Sequence, residues 1–137
     1  AKLFMEMVNE MRMDHSYKPV LLKALLTHAD SQGKAKINDL IDYFRNYYEK
    51  RRISLQVVEK ADSIFFKESC TNKEIEREIL NYPFRRFETM SMMHHTKTLG
   101  IVQIDSLVWR QLTAEDKKEI LTICDIKLEE YYKRITK

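Results

Sequence analysis

The sequence predicts a mainly α-helical domain carrying one small β-hairpin, and three observations lead there. Only 2 Gly and 2 Pro occur in 137 residues, too few for the many tight turns of a sandwich or barrel. The chain is 33% charged and 44% hydrophobic, a mixture suited to amphipathic helices around one core. Apolar residues recur at helical intervals along most of the chain and alternate in one stretch alone. The length suits a single domain, residues 1–137.

Leu3, Phe4, Met7, Val8 and Met11 form the stripe of a first amphipathic helix. Met5, Met7, Met11 and Met13 make this region a flexible apolar face, suited first to docking on the core and second to binding a partner. Ser16 is placed to cap the next helix, Tyr17 to His28, with Pro19 in its first turn, where a missing N–H costs nothing. Val20, Leu21, Ala24, Leu25 and Leu26 make this helix apolar over much of its circumference, which predicts the centre of the fold. Asp30-Ser31-Gln32-Gly33 ends it, and a short extended segment, Lys34 to Ile37, follows. Asn38 is the expected cap of a helix bearing Leu40, Ile41, Phe44, Tyr47 and Tyr48, which runs to the basic cluster Lys50-Arg51-Arg52.

Residues 53–72 read as an insertion, partly extended around Ile53, Leu55, Val57 and Val58, with Ile64-Phe65-Phe66 as a small apolar anchor. Thr71 and Glu74 have the spacing of a capping box and open a helix carrying Ile75, Ile79 and Leu80. Pro83 disfavours the helical conformation at Tyr82, so a second short helix, Phe84 to Met90, restarts at an angle. The period then changes. Met92 to Thr98 alternates, and Ile101-Val102-Gln103-Ile104 is rich in β-branched residues, so the pair predicts a hairpin turning near Lys97 to Gly100. Thr113 with Asp116 starts the last helix, striped by Ile120, Leu121, Cys124, Leu128 and Tyr131, and Trp109 is the expected anchor between hairpin and last helix.

Charge and cysteine content narrow the functional classes. A net charge of +3 is compatible with nucleic acid without requiring it. Cys70 and Cys124 belong to no CxxC pair, which argues against a zinc cluster or a disulfide framework and for a reduced, cytoplasmic setting. No apolar run approaches the roughly 18 residues of a membrane span. A chain opening on Ala1 reads as a domain excised from a longer protein.

No catalytic motif is assembled, and neither catalytic residues, a metal nor a cofactor is expected. His94 and His95 are adjacent, so on a strand they point to opposite faces, and His15 and His28 lack ligand partners at suitable spacing. Asp105 with Glu115-Asp116-Lys117 spells the acidic pattern of a metal-dependent nuclease, but the latter three fall on the first turn of a helix, where acids favour the dipole. Cys70 has no histidine nearby in sequence to activate it.

The order helix, short extended segment, helix, helix, hairpin, helix resembles that of a winged helix-turn-helix domain, covering residues 17–112 with 1–16 and 113–137 as flanking helices. Ser16-Tyr17-Lys18-Pro19-Val20-Leu21-Leu22-Lys23-Ala24-Leu25-Leu26, Asp39-Leu40-Ile41-Asp42-Tyr43-Phe44, Tyr82-Pro83-Phe84-Arg85-Arg86-Phe87-Glu88 and Leu112-Thr113-Ala114-Glu115-Asp116-Lys117 are similar to strings in accessory domains of bacterial DNA-processing proteins. These include superfamily 2 helicases of the DEAD/DEAH type and restriction-type nucleases. The resemblance implies a non-catalytic module that binds or positions duplex or junction DNA for a parent enzyme. The phosphate loop GxxxxGK[ST] and the Asp-Glu-Ala-Asp or Asp-Glu-Ala-His box of the helicase engine are absent from this chain.

On that reading the candidate DNA contacts are Lys73, Arg77, Arg85 and Arg86 on the third helix and its continuation, and His94, His95, Lys97 and Thr98 on the hairpin. Residues 73–104 hold five basic against four acidic side chains, a balance that argues against tight unaided phosphate binding. Lys50, Arg51 and Arg52, with Arg45 one to two turns earlier, form the densest positive cluster, although cations at a helix C-terminus also serve the dipole. Tyr43 and Tyr47 are the aromatic pair expected to expose a ring. The competing reading is a protein-interaction module docking on its parent enzyme through the Met-rich first helix or the amphipathic last one.

Overall fold

A helix that is apolar on nearly every side has to be covered on every side, and this requirement sets the architecture. In the computed structural model, which describes residues 1–137, α2 (Tyr17–His28) buries Tyr17, Pro19, Val20, Leu21, Leu22, Ala24 and Leu25. Helices α3 (Ile37–Ile53) and α7 (Ala114–Ile135) pack along it. Helix α1 (Lys2–Glu10) lies on α7 and buries Phe4 and Val8, with Met11 and Met13 buried just beyond it. Met5 and Met7 pack half-buried against the same core, so the methionine-rich face is turned inward. Helix α4 (Asn72–Asn81) packs on α3, and α5 (Pro83–Thr89) packs on α2 and continues into the hairpin.

Strands β1 (Lys34–Lys36), β2 (Met93–Thr96) and β3 (Ile101–Ile104) form one antiparallel sheet in the order β1-β3-β2. Ala35 and His95 flank Val102 in register. The hairpin turns through a short 3-10 segment, Lys97–Leu99, and Gly100 takes the left-handed conformation at φ 63°. The architecture is therefore mainly helical with a small hairpin, as the spacing predicts.

Both capping boxes form. Thr71 Oγ1 accepts from Glu74 N–H at 3.1 Å while Glu74 accepts from Thr71 N–H at 2.8 Å, and Thr113 and Asp116 repeat the exchange at 3.0 Å each way. Pro83 opens α5 as its first residue. Other caps differ from expectation. Ser16 precedes α2 without capping it, because its hydroxyl is drawn into a buried network, and α3 begins at Ile37 with Lys36, not Asn38, at its cap position.

A short helix, α6 (Ser106–Gln111), was not predicted, since six residues are too few to display a period. Asp105 caps it, accepting from Leu107 and Val108 N–H. Trp109 on this helix joins the turn before β1 to the start of α7. Its indole N–H donates to Ser31 O at 3.0 Å, its ring lies on Gly33, and Lys117 Nζ sits 4.0 Å above the ring.

Residues 53–72 enter the core. Phe65, on a 3-10 turn Ile64–Phe66, stacks on Tyr48 with ring centroids 4.1 Å apart and meets Tyr17 edge-on at 5.8 Å, while its neighbour Phe66 points outward. The segment is held by packing and hydrogen bonds even though it has little regular structure.

Two outcomes follow from these contacts. Gly33 has φ 82°, and a Cβ there would lie 2.7 Å from Trp109 Cγ, so Gly33→Ala lowers stability by about 1–3 kcal/mol in chemical denaturation. The Lys67 ammonium, with the Thr71 backbone N–H, holds the Glu74 carboxyl down at about 2 against an ordinary value of 4.5. A carboxylate lowered on folding contributes stability above its unfolded value and loses it as pH falls through the folded one, here between about 4.5 and 2. Carboxyl titration by NMR should find Glu74 depressed, and Lys67→Ala should raise it.

Candidate nucleic-acid interface

An irregular segment leaves backbone carbonyls without ladder partners, and these need donors. The cations of α3 supply them. Arg45 Nη1 donates to Cys70 O at 2.8 Å and Nη2 to Asn72 Oδ1. Arg51 Nε donates to Val57 O at 2.6 Å, and its guanidinium lies 3.4 Å over the Tyr132 ring. Arg52 Nη2 donates to Phe65 O at 2.8 Å and Lys67 O at 3.0 Å, while its Nε is buried without a partner. Three of the four cations in the densest positive cluster are thus bound to the chain's own loop, and Lys50 alone remains exposed and unpaired. Of the expected phosphate-binding cluster Arg45, Lys50, Arg51 and Arg52, the three guanidiniums therefore already hold hydrogen bonds within the chain.

The same loop carries a buried acid that the sequence reading passed over. Glu59 is 3% exposed. It accepts from Ser16 N–H at 2.8 Å, Ser16 Oγ at 2.6 Å and the Tyr131 hydroxyl. Tyr48 in turn lies 2.6 Å from Ser16 Oγ, and Tyr132 donates to Val58 O at 2.9 Å. Lys60 N–H is the one local donor, at 2.8 Å; the others come from Ser16, just before α2, and from Tyr131 of α7, so no local pattern marks Glu59.

The expected contacts on α4, α5 and the hairpin fare differently. Lys73 and Arg77 are exposed one turn apart on α4, and Arg85 and Arg86 are exposed on α5. Lys97 and Thr98 are exposed at the hairpin tip, His95 is half-buried edge-on to Phe84, and His94 is bound to Asp105 at 2.8 Å. Lys73, Arg77, Arg85, Arg86 and Lys97 form no ion pair. Two neighbouring acids are engaged elsewhere, Glu74 with Lys67 at 2.6 Å and Glu78 as acceptor from Tyr17 at 2.9 Å. Glu76, Glu78 and Glu88, like the five cations, form no ion pair.

Two further cations lie beside Arg85 and Arg86. Arg12, in the segment before α2, and Lys18, on the first turn of α2, line a groove with Asp14 and Arg86. The groove extends past Tyr82, Pro83 and Arg85. Lys18 Nζ donates to Arg12 O at 2.9 Å. Burial lowers the Lys18 pKa, Asp14 opposes that, and Arg86 and Arg12 push it the same way as burial. Isolated cations far from Arg85 and Arg86 in sequence offered no signal of this convergence. Tyr43 is half-buried edge-on to His28, and Tyr47 is half-buried edge-on to Tyr48.

The remaining chemical candidates have structural partners. Burial raises the Cys70 pKa, and its thiol donates to Ile64 O at 3.2 Å; burial pushes Cys124 up to about 12. Asp105 and Asp116 cap helices, and no group of three His, Cys, Asp or Glu is placed to hold a metal ion. No helix is long and apolar enough to cross a membrane.

Thermal and chemical denaturation separate the two sets of arginines. Arg52→Ala leaves loop carbonyls without donors and lowers stability by about 1–3 kcal/mol. Arg85→Glu combined with Arg86→Glu, both exposed and unpaired, changes it by no more than about 0.5 kcal/mol. Comparison with protein-family models, with curated proteins and with solved structures finds no match to this chain, so a functional reading rests on its geometry.

Proposed function

We propose that this chain is a non-catalytic DNA-positioning module of winged-helix type, acting beside the enzyme domain of a larger DNA-processing protein such as a helicase. The observation that carries the reading is the set of exposed cations without ion pairs on α4, α5 and the hairpin tip: Lys73, Arg77, Arg85, Arg86 and Lys97. Phosphate oxygens are the complementary ligands, and binding releases condensed counterions from the nucleic acid. The element order, with β1 paired to the second strand of the hairpin, supports the winged-helix assignment. In that arrangement α4 and α5 stand where a recognition helix precedes the wing.

A second reading, docking on a partner protein, is favoured by one observation. Ile53 at the end of α3 and Leu55 and Val57 just beyond it are exposed, and Leu55 is 94% exposed in the left-handed conformation at φ 57°. The Met-rich face, expected first to dock on the core, is packed there.

Mobility shifts with duplex, forked and single-stranded oligonucleotides across a salt series test the DNA reading. Binding at low salt that weakens steeply as salt rises is expected, with Lys73→Glu and Arg77→Glu each reducing affinity and flattening the salt slope by about one phosphate contact. No binding to any probe at low salt overturns the reading.

A further inference from the structure

The groove between the segment preceding α2 and the α4–α5 junction combines two kinds of group. Arg12, Lys18, Arg85 and Arg86 line it, with Glu10 and Asp14 as the acids among them. None of the four cations forms an ion pair. At its rim stands Tyr82, whose side chain has no hydrogen-bond partner and which is 59% exposed. Pro83 enforces the break between α4 and α5, so Tyr82 sits outside both helices at φ −116° and ψ −83°. An exposed ring beside unpaired cations matches one ligand chemistry: a base face for stacking and a phosphate for charge-assisted hydrogen bonds.

We infer that this groove holds an unpaired nucleotide of a DNA strand, its base stacked on Tyr82 and its backbone phosphates on Arg12, Lys18 and Arg86. The choice of an unpaired strand over a duplex follows from the ring. Bases inside a duplex have both faces covered by their neighbours, whereas a single strand offers a free face to an aromatic side chain. The inference rests on the DNA-positioning reading and narrows it: at a junction, the strand leaving the duplex enters the groove while Lys73 and Arg77 follow the paired backbone.

Fluorescence anisotropy with the full chain and three labelled DNAs tests this: a single-stranded oligothymidylate of about 12 nucleotides, a blunt duplex, and a fork with a single-stranded arm. The single strand and the fork are expected to bind at least about tenfold more tightly than the blunt duplex, and Tyr82→Ala to weaken them by about 5- to 100-fold with little effect on the duplex. Tyr82→Phe keeps the ring and should keep the affinity, which separates stacking from any disturbance of the α4–α5 junction. Lys18→Gln with Arg86→Gln should weaken the single strand and reduce its salt dependence. Equal binding of duplex and single strand, or single-strand binding unchanged in Tyr82→Ala, overturns this inference and leaves the DNA module standing. No binding of any of the three DNAs overturns both.

Discussion

A carboxylate removed from water has to be surrounded by donors, and Glu59 meets that requirement with Ser16 before α2, Tyr131 of α7 and the Lys60 N–H of its own loop. Ser16 at the start of α2 gives its N–H and hydroxyl, Tyr131 of α7 gives its phenol, and Tyr48 of α3 supports Ser16 from behind. Removing the acid would leave those donors buried and unpaired, at a cost of about 1–3 kcal/mol for each group. Glu59 therefore pins an irregular loop onto the middle of a helical core. Phe65 does the same by packing, stacked on Tyr48 and bordered by Tyr17 and Phe44.

That pinned loop explains what happens to the positive charge. Residues 57–70 have little regular structure and few ladder hydrogen bonds, and arginine is suited to such a place because one guanidinium reaches several carbonyls. Arg45, Arg51 and Arg52 are used in this way. The charge that looks densest in the sequence is therefore the least available to a ligand. In residues 73–86, by contrast, Lys73, Arg77, Arg85 and Arg86 have no ion-pair partner, and Glu74 is offset by Lys67 from outside the segment. A tally of acids and bases is blind to this difference, which depends on partners brought in from outside the segment.

The candidate interface was legible in part. Lys73, Arg77, Arg85, Arg86 and Lys97 follow from placing cations on the helix and hairpin, and the structure leaves them exposed. Arg12 and Lys18 could not be read because they join Arg86 only across the groove between α2 and α5. Tyr82 was visible as a helix boundary, through Pro83, and its exposure beside four cations became visible only once the two walls of the groove were assembled. His94 and His95 were correctly separated onto opposite faces of a strand, yet the role of Asp105 as partner of His94 and cap of α6 needed the folded hairpin.

Local physics is what the sequence by itself determined. The apolar circumference of α2, the capping boxes at Thr71 and Thr113, the break at Pro83 and the alternation around the hairpin all act within a few residues, and each produced its element. The tertiary structure alone decided the fate of groups whose partners lie far along the chain. It drew Ser16 away from its cap and onto Glu59, placed Trp109 against Gly33, and turned three arginines of α3 onto a loop. A helix propensity or a cap is settled by neighbours in sequence; the burial of a carboxylate or the freedom of a guanidinium is settled by neighbours in space.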